Sequence, residues 1–279
     1  MAGLRTKKVE IGEYSLVFDL HGDDGPAVLL VHGIPGWRGT FREVAGELAV
    51  DHRVLVPDLV GFGESSALPP GWHAAEQAEI LAHFLDAQGV GEVHLCGFDF
   101  GGPIALLLMQ RVPEKVRSLT LMATNVLTDT PIPVPLKLAR VPLLGDLAFR
   151  LFFGRLGLTA MWRAAAADRR AFPLDRYREA LVFDQGVAST RRIFLESLRD
   201  LPGLYADVES ALGSVHVPGT VLWGERDPFF SVEVGERTAR RAALPLSVLK
   251  GCGHFVPQER PQAVAEAVRR VSGQTGTHA

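Results

Sequence analysis

Continuous apolar runs, separated by segments with helical periodicity, constrain the fold of this chain more than any other feature. Runs such as PAVLLVHG (26–33) and EVHLCGFD (92–99) lack the alternation of a half-exposed strand, so they predict strands buried on both faces. The other runs of this kind are RVLVPD, VRSLTLMA, PGTVLWG and PLSVLKG, and the alternating stretch KKVEIGEYSLVFDLHG predicts an antiparallel start. The helical periods lie at about 38–49, 73–88, 101–111, 232–242 and 258–272. This order predicts an α/β protein with a mostly parallel, eight-stranded sheet flanked by helices.

The alternation of strands and helices stops between residues 128 and 211. This stretch begins with several prolines and continues with helical periods, but it contains no strand-like run. It is too long for a loop in a compact domain, so we interpret it as an inserted helical cap. The predicted organisation is a core of residues 1–127 and 212–279 that carries a cap of residues 128–211.

Composition and charge argue against several classes of function. The formal net charge is −3, and no Lys/Arg cluster is interleaved with aromatic residues, so nucleic-acid binding is not expected. No apolar run approaches the ~20 residues that span a bilayer, and the first residues contain no apolar signal segment. The two cysteines, Cys96 and Cys252, predict neither a disulfide framework nor a zinc site. We therefore expect a cytoplasmic protein without a membrane or nucleic-acid partner.

Chemically active side chains follow the predicted strands at their carboxyl ends, which is where open parallel sheets bind ligands. His32 ends one strand, Asp99 ends a second, Asp227 follows a third, and His254 follows the last. Because these ends meet at one edge of the sheet, the residues are expected to share a site. No metal or cofactor is predicted there, because no cluster of His, Asp and Glu has the spacing of metal ligands.

Several segments together carry a resemblance to a known family. They are HGIP (32–35), PDLVGFGES (57–65), GFDFGGPI (97–104), and Asp227 with GHF (253–255). In this order, at strand ends, they resemble the α/β-hydrolase fold superfamily over nearly the whole chain. Asp99 stands where many members have the serine of G-x-S-x-G, and an aspartate there together with H-G-x-P resembles the haloalkane dehalogenases and epoxide hydrolases. The resemblance implies a catalytic triad of Asp99, Asp227 and His254.

A carboxylate in this position suits attack on saturated carbon. It is already ionised near neutral pH, whereas a serine must first lose its proton to a histidine. Attack on a carbon that bears a halide, or on a protonated epoxide, would give an alkyl ester of Asp99. Water activated by His254, which Asp227 orients, would then hydrolyse that ester. The N–H groups of Ile34 and Phe100 are predicted to hold the oxyanion that forms on Asp99.

The residues that would stabilise a leaving group match neither of the two families completely. Dehalogenases donate N–H groups to the halide, and the candidates here are the indoles of Trp37 and Trp162. Epoxide hydrolases use a pair of cap tyrosines, and the predicted cap contains Tyr177 and Tyr205 but no tyrosine in its early part. Tyr205 lies about where the second tyrosine of that family is expected. Because DFGGPI resembles the DWGGPI of dehalogenases, a small apolar haloalkane is the preferred substrate and an epoxide is the alternative.

Two other classes of function stay open. In an esterase-like enzyme, a C–C bond hydrolase or a lyase, Asp99 would act as a base. In a non-catalytic member, the cap pocket would only bind a small ligand, although the retained Asp227, His254 and H-G-I-P loop argue against this. His32 and Asp58 are expected to order their loops and not to act on the substrate.

Overall fold

An eight-stranded sheet forms the centre of the protein, with strand order β1-β2-β4-β3-β5-β6-β7-β8. The computed structural model describes residues 4–69, 74–130, 154–179, 189–190, 192 and 201–273. The strands are β1 (Arg5–Ile11), β2 (Tyr14–His21), β3 (Ala27–Val31), β4 (Arg53–Pro57), β5 (Val93–Phe98), β6 (Val116–Met122), β7 (Gly219–Gly224) and β8 (Leu246–Leu249). β2 pairs antiparallel with β1 and β4, and the remaining neighbours pair parallel. The predicted mostly parallel sheet is therefore confirmed.

Helices cover both faces of this sheet. They are α1 (Arg42–Leu48), α2 (Ala74–Ala87), α3 (Gly101–Arg111), α4 (Arg155–Ala165), α5 (Leu174–Glu179), α6 (Leu201–Gly213), α7 (Val232–Ala242), α8 (Val256–Glu259) and α9 (Pro261–Gly273), and a short 3-10 helix (Arg38–Phe41) precedes α1. In the described part of the chain, no helix is both long and apolar enough to cross a membrane.

The apolar runs are continuous because the sheet is buried on both faces. Along β3, Leu29 and Val31 belong to a core cluster shared with α2, α3, α6 and α7. Val28 and Leu30 belong to a second cluster shared with α1 and α9 on the opposite face. Successive side chains of a strand point to opposite faces, so a strand between two helical layers needs an apolar residue at every position.

The predicted helix at 258–272 is divided into α8 and α9. Pro261 begins α9, and the residue before it, Arg260, has non-helical backbone with φ −140° and ψ 55°. Proline has no N–H to continue a helical ladder, and its ring disfavours helical backbone in the preceding residue. The break therefore follows from the sequence Arg260–Pro261, which the periodicity alone does not reveal.

The predicted cap is described only in part. Residues 131–153, 180–188, 191 and 193–200 of it lie outside the described residues. The predicted cap boundary at residue 211 falls inside α6, and Val208, Ala211 and Leu212 of this helix are buried in the core cluster that contains α3. The helix that ends the cap segment is therefore also part of the core packing.

Candidate active site

Asp99 lies in a tight turn between β5 and α3. Its φ is +52°, a left-handed conformation that is uncommon for a residue with a side chain. A Cβ at Gly101 would collide with the carbonyl oxygen of Val31 on the neighbouring strand, so the turn requires glycine there. Thr124 Oγ1 fixes the turn by donating to the Asp99 carbonyl oxygen at 2.6 Å. The sequence GFDFGG thus places the Asp99 carboxylate at the edge of the sheet, where it keeps some solvent exposure (17%).

Asp227 is buried in the loop after β7 and is oriented by its own backbone. Its Oδ1 accepts the N–H groups of Phe229 at 2.8 Å and Phe230 at 3.1 Å. The buried Trp223 secures this loop, because its indole N–H donates to the Phe230 carbonyl oxygen at 2.8 Å. The other oxygen, Oδ2, is left to face His254. Glu225, the competing carboxylate in this loop, instead accepts the N–H of Gly251 at 3.0 Å.

His254 joins the two aspartates. Its Nδ1 lies 2.8 Å from Asp227 Oδ2, and its Nε2 lies 3.5 Å from Asp99 Oδ2. The rings of Phe98, Phe229, Phe230 and Phe255 surround the imidazole at centroid separations of 4.9–5.7 Å. The sheet edge therefore brings together the three residues that the sequence predicted, in an Asp99–His254–Asp227 array.

The pKa of His254 reflects two opposing influences. Burial lowers it, but the charge and hydrogen bond of Asp227, followed by those of Asp99, outweigh burial and raise the pKa to about 10. The imidazole is therefore protonated at neutral pH while a carboxylate lies on each side of it. It can accept a proton only after one of these negative charges is removed.

The backbone N–H of Ile34 points at the other oxygen of Asp99 and donates to Oδ1 at 2.8 Å. Gly33 precedes it, and a Cβ at that position would come within 2.5 Å of Asp99 Oδ1. Phe100, the second predicted donor, is also among the described residues and precedes α3, but its N–H makes no hydrogen bond to the Asp99 carboxylate. Of the two predicted donors, the Ile34 N–H therefore contacts the Asp99 carboxylate and the Phe100 N–H does not.

His32 orders the loop that presents this N–H. Its Nδ1 donates to the Gly33 carbonyl oxygen at 2.9 Å, and its Nε2 accepts the N–H of Leu59 at 3.0 Å. Burial lowers the pKa of His32 to about 4, so the ring is neutral and keeps this tautomer. Asp58 orders the following turn by accepting the N–H groups of Arg38 at 2.7 Å and Glu64 at 2.9 Å.

Two tyrosines from the cap segment lie close enough to Asp99 to sense its charge. Burial and the Asp99 charge raise the pKa of Tyr205 to about 12, although a hydrogen bond with Asn125 lowers it. Burial and the same charge raise the pKa of Tyr177, whose hydroxyl contacts Met161 Sδ at 3.2 Å. Both hydroxyls therefore stay protonated at neutral pH. The sequence predicted only Tyr205 here, because Tyr177 lies in α5 without any motif that marks it.

The two tryptophans that the sequence offered as halide donors each contact other described residues. The Trp162 indole N–H donates to the Phe172 carbonyl oxygen at 2.9 Å, within the cap segment. The Trp37 ring packs against the guanidinium groups of Arg38 and Arg42, at 5.1 Å and 5.7 Å from the ring centroid. Trp162 therefore has no free N–H to offer a leaving group, and Trp37 serves as a stacking surface for cations.

The described residues supply the array with no ion pair beyond those among its own members. Among them, no lysine or arginine forms an ion pair with Asp99 or Asp227. Nor does that part of the chain contain a group of three or more His, Cys, Asp or Glu side chains that could hold a metal ion.

Comparison with known proteins identifies the fold family. Residues 26–156 match the family model of the alpha/beta hydrolase fold. An epoxide hydrolase structure, CorEH without ligand, superposes with a TM-score of 0.79 at 20% identity, covering 98% of this chain and 99% of that one. The chain has the α/β-hydrolase fold. A thermophilic esterase from Thermogutta terrifontis gives a TM-score of 0.78 at 25% identity, covering 98% of this chain and 100% of that one.

A curated relative extends the comparison to activity. It is a 2-hydroxy-6-oxononadienedioate/2-hydroxy-6-oxononatrienedioate hydrolase of Burkholderia vietnamiensis, 28% identical over 269 residues and covering 89% of each chain. Together with the family model, this relative supports a hydrolase. The structural similarity at about 20% identity concerns the fold and does not decide between substrates.

Proposed function

We propose that this protein is a cofactor-free hydrolase in which Asp99 attacks a small apolar epoxide and forms an alkyl ester that His254 then helps to hydrolyse. One observation carries the proposal. Asp99 Oδ1 is bonded to the Ile34 N–H at 2.8 Å, while Oδ2 lies 3.5 Å from His254 Nε2. The two oxygens therefore have different environments, one prepared for an oxyanion and one available for attack.

In the first step, Asp99 Oδ2 attacks a carbon of the epoxide and the ring C–O bond breaks. The departing oxygen takes the proton of a cap tyrosine, for which Tyr205 and Tyr177 are the candidates. Each tyrosine is protonated at neutral pH because burial and the Asp99 charge raise its pKa. The phenolate left behind recovers a proton from the His254 imidazolium, so this step ends with a neutral ester and a neutral imidazole.

In the second step, neutral His254 takes a proton from water, which attacks Cγ of the Asp99 ester. Negative charge develops on Oδ1, where the Ile34 N–H already donates. Such a donor is typically worth about 2.7–4 kcal/mol of barrier. The tetrahedral intermediate releases the diol alkoxide, which takes the proton of the new carboxyl group. The imidazolium and the Asp99 carboxylate of the starting state are thereby restored.

In this order of steps, the charge of Asp99 determines how basic His254 is. Alkylation removes one of the two negative charges that raise the His254 pKa to about 10. Asp99→Asn imitates the neutral ester, so we expect the pKa of His254 in this variant to be lower than in the wild type. An NMR titration of the imidazole measures both values. An equal or higher pKa in the variant would contradict the proposed order of events.

An epoxide is preferred over a haloalkane because of the groups available to the leaving atom. A halide needs N–H donors, and the Trp162 N–H is already bonded to Phe172. An alkoxide needs a proton, and the charge of Asp99 raises the pKa of two cap tyrosines, Tyr177 and Tyr205, whose hydroxyls are protonated. Haloalkane dehalogenation, which the DFGGPI segment favours, therefore takes second place.

Hydrolysis of a C–C bond is a second candidate, because the curated relative is a dienedioate hydrolase. In that reaction Asp99 would act as a base and would not be alkylated. A dienedioate carries two carboxylates, which call for cationic partners. Among the described residues, no lysine or arginine forms an ion pair with Asp99 or Asp227, so the surroundings favour a neutral substrate.

The test is the intact mass of His254→Gln after incubation with a terminal epoxide, a primary bromoalkane or a dienedioate, each alone. Without the base, the second step stalls and the ester accumulates. Glu225→Gln is the matched control, because Glu225 lies in the same region without contacting His254. We expect a mass gain equal to the whole epoxide, located on Asp99, in His254→Gln and not in the control.

The other outcomes of this test assign other functions. A gain of the alkyl group alone, with release of bromide, would establish a dehalogenase. Turnover of the dienedioate by the wild type, without any adduct in the variant, would favour the C–C bond hydrolase. Failure of a folded His254→Gln protein to form any adduct, with no wild-type turnover of the epoxide, would reject the proposed function.

A further inference from the structure

A buried carboxylate outside the catalytic array lies next to the loop that carries His254. Glu259, at the end of α8, is only 2% exposed, although glutamate is almost never fully buried without a partner. Within the described part of the chain, no cation lies within ion-pairing distance of it. Burial raises the pKa of Glu259, and hydrogen bonds from backbone N–H groups and the charge of Arg260 oppose this effect. The carboxylate is therefore held by the backbone.

One oxygen of Glu259 joins two segments that are distant in sequence. Oε2 accepts the N–H of Asp168 at 2.7 Å and the N–H of Gly253 at 3.1 Å. Asp168 lies just after helix α4 of the cap segment, and Gly253 directly precedes His254. A single carboxylate oxygen therefore fixes both the end of a cap helix and the loop of the proposed base.

Other contacts around Glu259 hold the same two segments together. The N–H of His254 donates to the Ala165 carbonyl oxygen at 2.9 Å. Arg260 donates to Asp168 Oδ2 at 2.8 Å and to the Gly251 carbonyl oxygen at 3.0 Å. A Cβ at Gly253 would collide with the Ala165 carbonyl oxygen, so the two backbones are as close as glycine permits. Residues 165–168 of the cap segment are therefore tied directly to the loop of His254.

The remaining oxygen of Glu259 argues against a role in stability alone. Oε1 is buried and has no hydrogen-bond partner among the described residues. An unsatisfied buried oxygen is destabilising, and a carboxylate more so than a neutral group. Glu259 therefore lowers stability through Oε1, while its hydrogen bonds through Oε2 go to the His254 loop and to the cap segment.

We propose that Glu259 is a positioning residue that joins His254 to cap residues 165–168, so that the base is correctly placed only when this cap segment is in position. The inference rests on the proposed function, in which His254 acts in ester hydrolysis. Tyr205, a candidate acid for ester formation, is anchored separately, because it lies on α6, whose residues Val208 and Leu212 pack in the core cluster that contains α3. Loss of Glu259 should therefore slow ester hydrolysis more than ester formation.

The test compares two conservative variants with a matched control. Glu259→Asp keeps the charge but withdraws the carboxylate by one methylene, whereas Glu259→Gln keeps the length and an acceptor oxygen. Glu266→Asp, at an exposed position on α9, is the control. Misplacement of a catalytic group by about 1 Å can cost about 100-fold, so we expect Glu259→Asp to slow ester hydrolysis by about 10–100-fold. Glu259→Gln should stay within about 3-fold of the wild type, since it retains the acceptor.

Two measurements separate this inference from the proposed function. With a terminal epoxide, intact mass should show ester accumulating in Glu259→Asp, at a formation rate close to that of the wild type. Without substrate, hydrogen exchange should become faster at both Gly253 and Asp168 in Glu259→Asp and should be unchanged in Glu266→Asp. Faster exchange at only one of the two amides, or at neither, would overturn the coupling.

Accumulation of the Asp99 ester distinguishes failure of the positioning role from failure of the proposed function. If His254→Gln accumulates ester and Glu259→Asp does not, the positioning role is wrong and the proposed function stands. If neither variant accumulates ester while exchange increases at both amides, the coupling between the cap and the loop stands and the proposed chemistry is rejected.

Discussion

The carboxyl edge of the sheet and the cap segment contribute to one site through different kinds of contact. At the sheet edge, each functional residue lies next to a strand end, and nearby backbone fixes it, as Phe229 and Phe230 fix Asp227. In the cap segment, side chains are placed by contacts distant in sequence, such as the Arg176–Glu43 and Arg42–Glu179 pairs to α1. The difference indicates that contacts close in sequence place the residues proposed for the covalent chemistry. Contacts distant in sequence place the cap residues proposed to protonate the leaving group.

The largest expected effect comes from the sheet edge. Asp99→Asn removes the nucleophile and should lower kcat by about 10⁴-fold or more, because loss of a nucleophile removes the whole covalent pathway. The fold should persist, since the Ile34 N–H can still donate to the amide oxygen. Steady-state turnover of a terminal epoxide and a thermal melt measure both effects. Turnover near the wild-type rate would place the chemistry elsewhere.

The second-largest effect is expected for Asp227→Asn, which should slow ester hydrolysis by about 10³–10⁴-fold. An asparagine there favours the wrong imidazole tautomer and removes the largest charge that supports the His254 imidazolium. The ester should accumulate as it does in His254→Gln, and Glu225→Gln should behave like the wild type. If Asp227→Asn hydrolysed the ester as fast as the control, the acid would be a different residue.

The cap tyrosines should give an intermediate effect that depends on the substrate. Tyr205→Phe or Tyr177→Phe should lower kcat/KM for an epoxide by about 10²-fold for the residue that donates the proton, the lower range for a general acid. Any turnover of a bromoalkane should change much less, because a halide needs no proton. Tyr14→Phe, on the distant strand β2, is the control. Equal losses with both substrates would indicate that the tyrosines shape the pocket without donating a proton.

Trp162→Phe should have the smallest effect. Its N–H is bonded within the cap segment, so the variant should lose stability by about 1 kcal/mol, the usual worth of one hydrogen bond, with kcat/KM nearly unchanged. Chemical denaturation and the kinetics of both substrates test this expectation. A loss confined to bromoalkane turnover would identify Trp162 as a halide donor and would favour the dehalogenase.

The sequence indicates that Asp99, Asp227 and His254 lie together at the sheet edge because its signals there are local. An apolar run that ends in Asp99, flanked by glycines, has few ways to fold other than a strand followed by a tight turn. Asp227 and His254 follow strands of the same kind, so a parallel sheet brings all three to one edge. The donor at Ile34 follows from the same reasoning.

The cap segment was harder to predict because its signals are not local. Helical periodicity places Tyr177 and Trp162 on helices, but it does not tell which hydroxyl or indole will face Asp99. Tyr177 reaches its position through packing of its ring against Phe172 and Phe255. The contacts of Glu259 are also non-local, since they join residues 253 and 168. Such pairings depend on the assembled tertiary structure.

A single turnover in heavy-oxygen water tests the central claim most directly. Wild-type protein in excess over a terminal epoxide is digested after the reaction, and the peptide containing Asp99 is weighed. If water attacks Cγ of an Asp99 ester, the heavy oxygen enters the Asp99 carboxylate and the diol takes its new oxygen from the protein. We therefore predict one heavy oxygen in the Asp99 peptide and none in the first diol formed. Heavy oxygen in the diol, with an unlabelled Asp99, would mean that water attacks the substrate directly and that Asp99 is not the nucleophile.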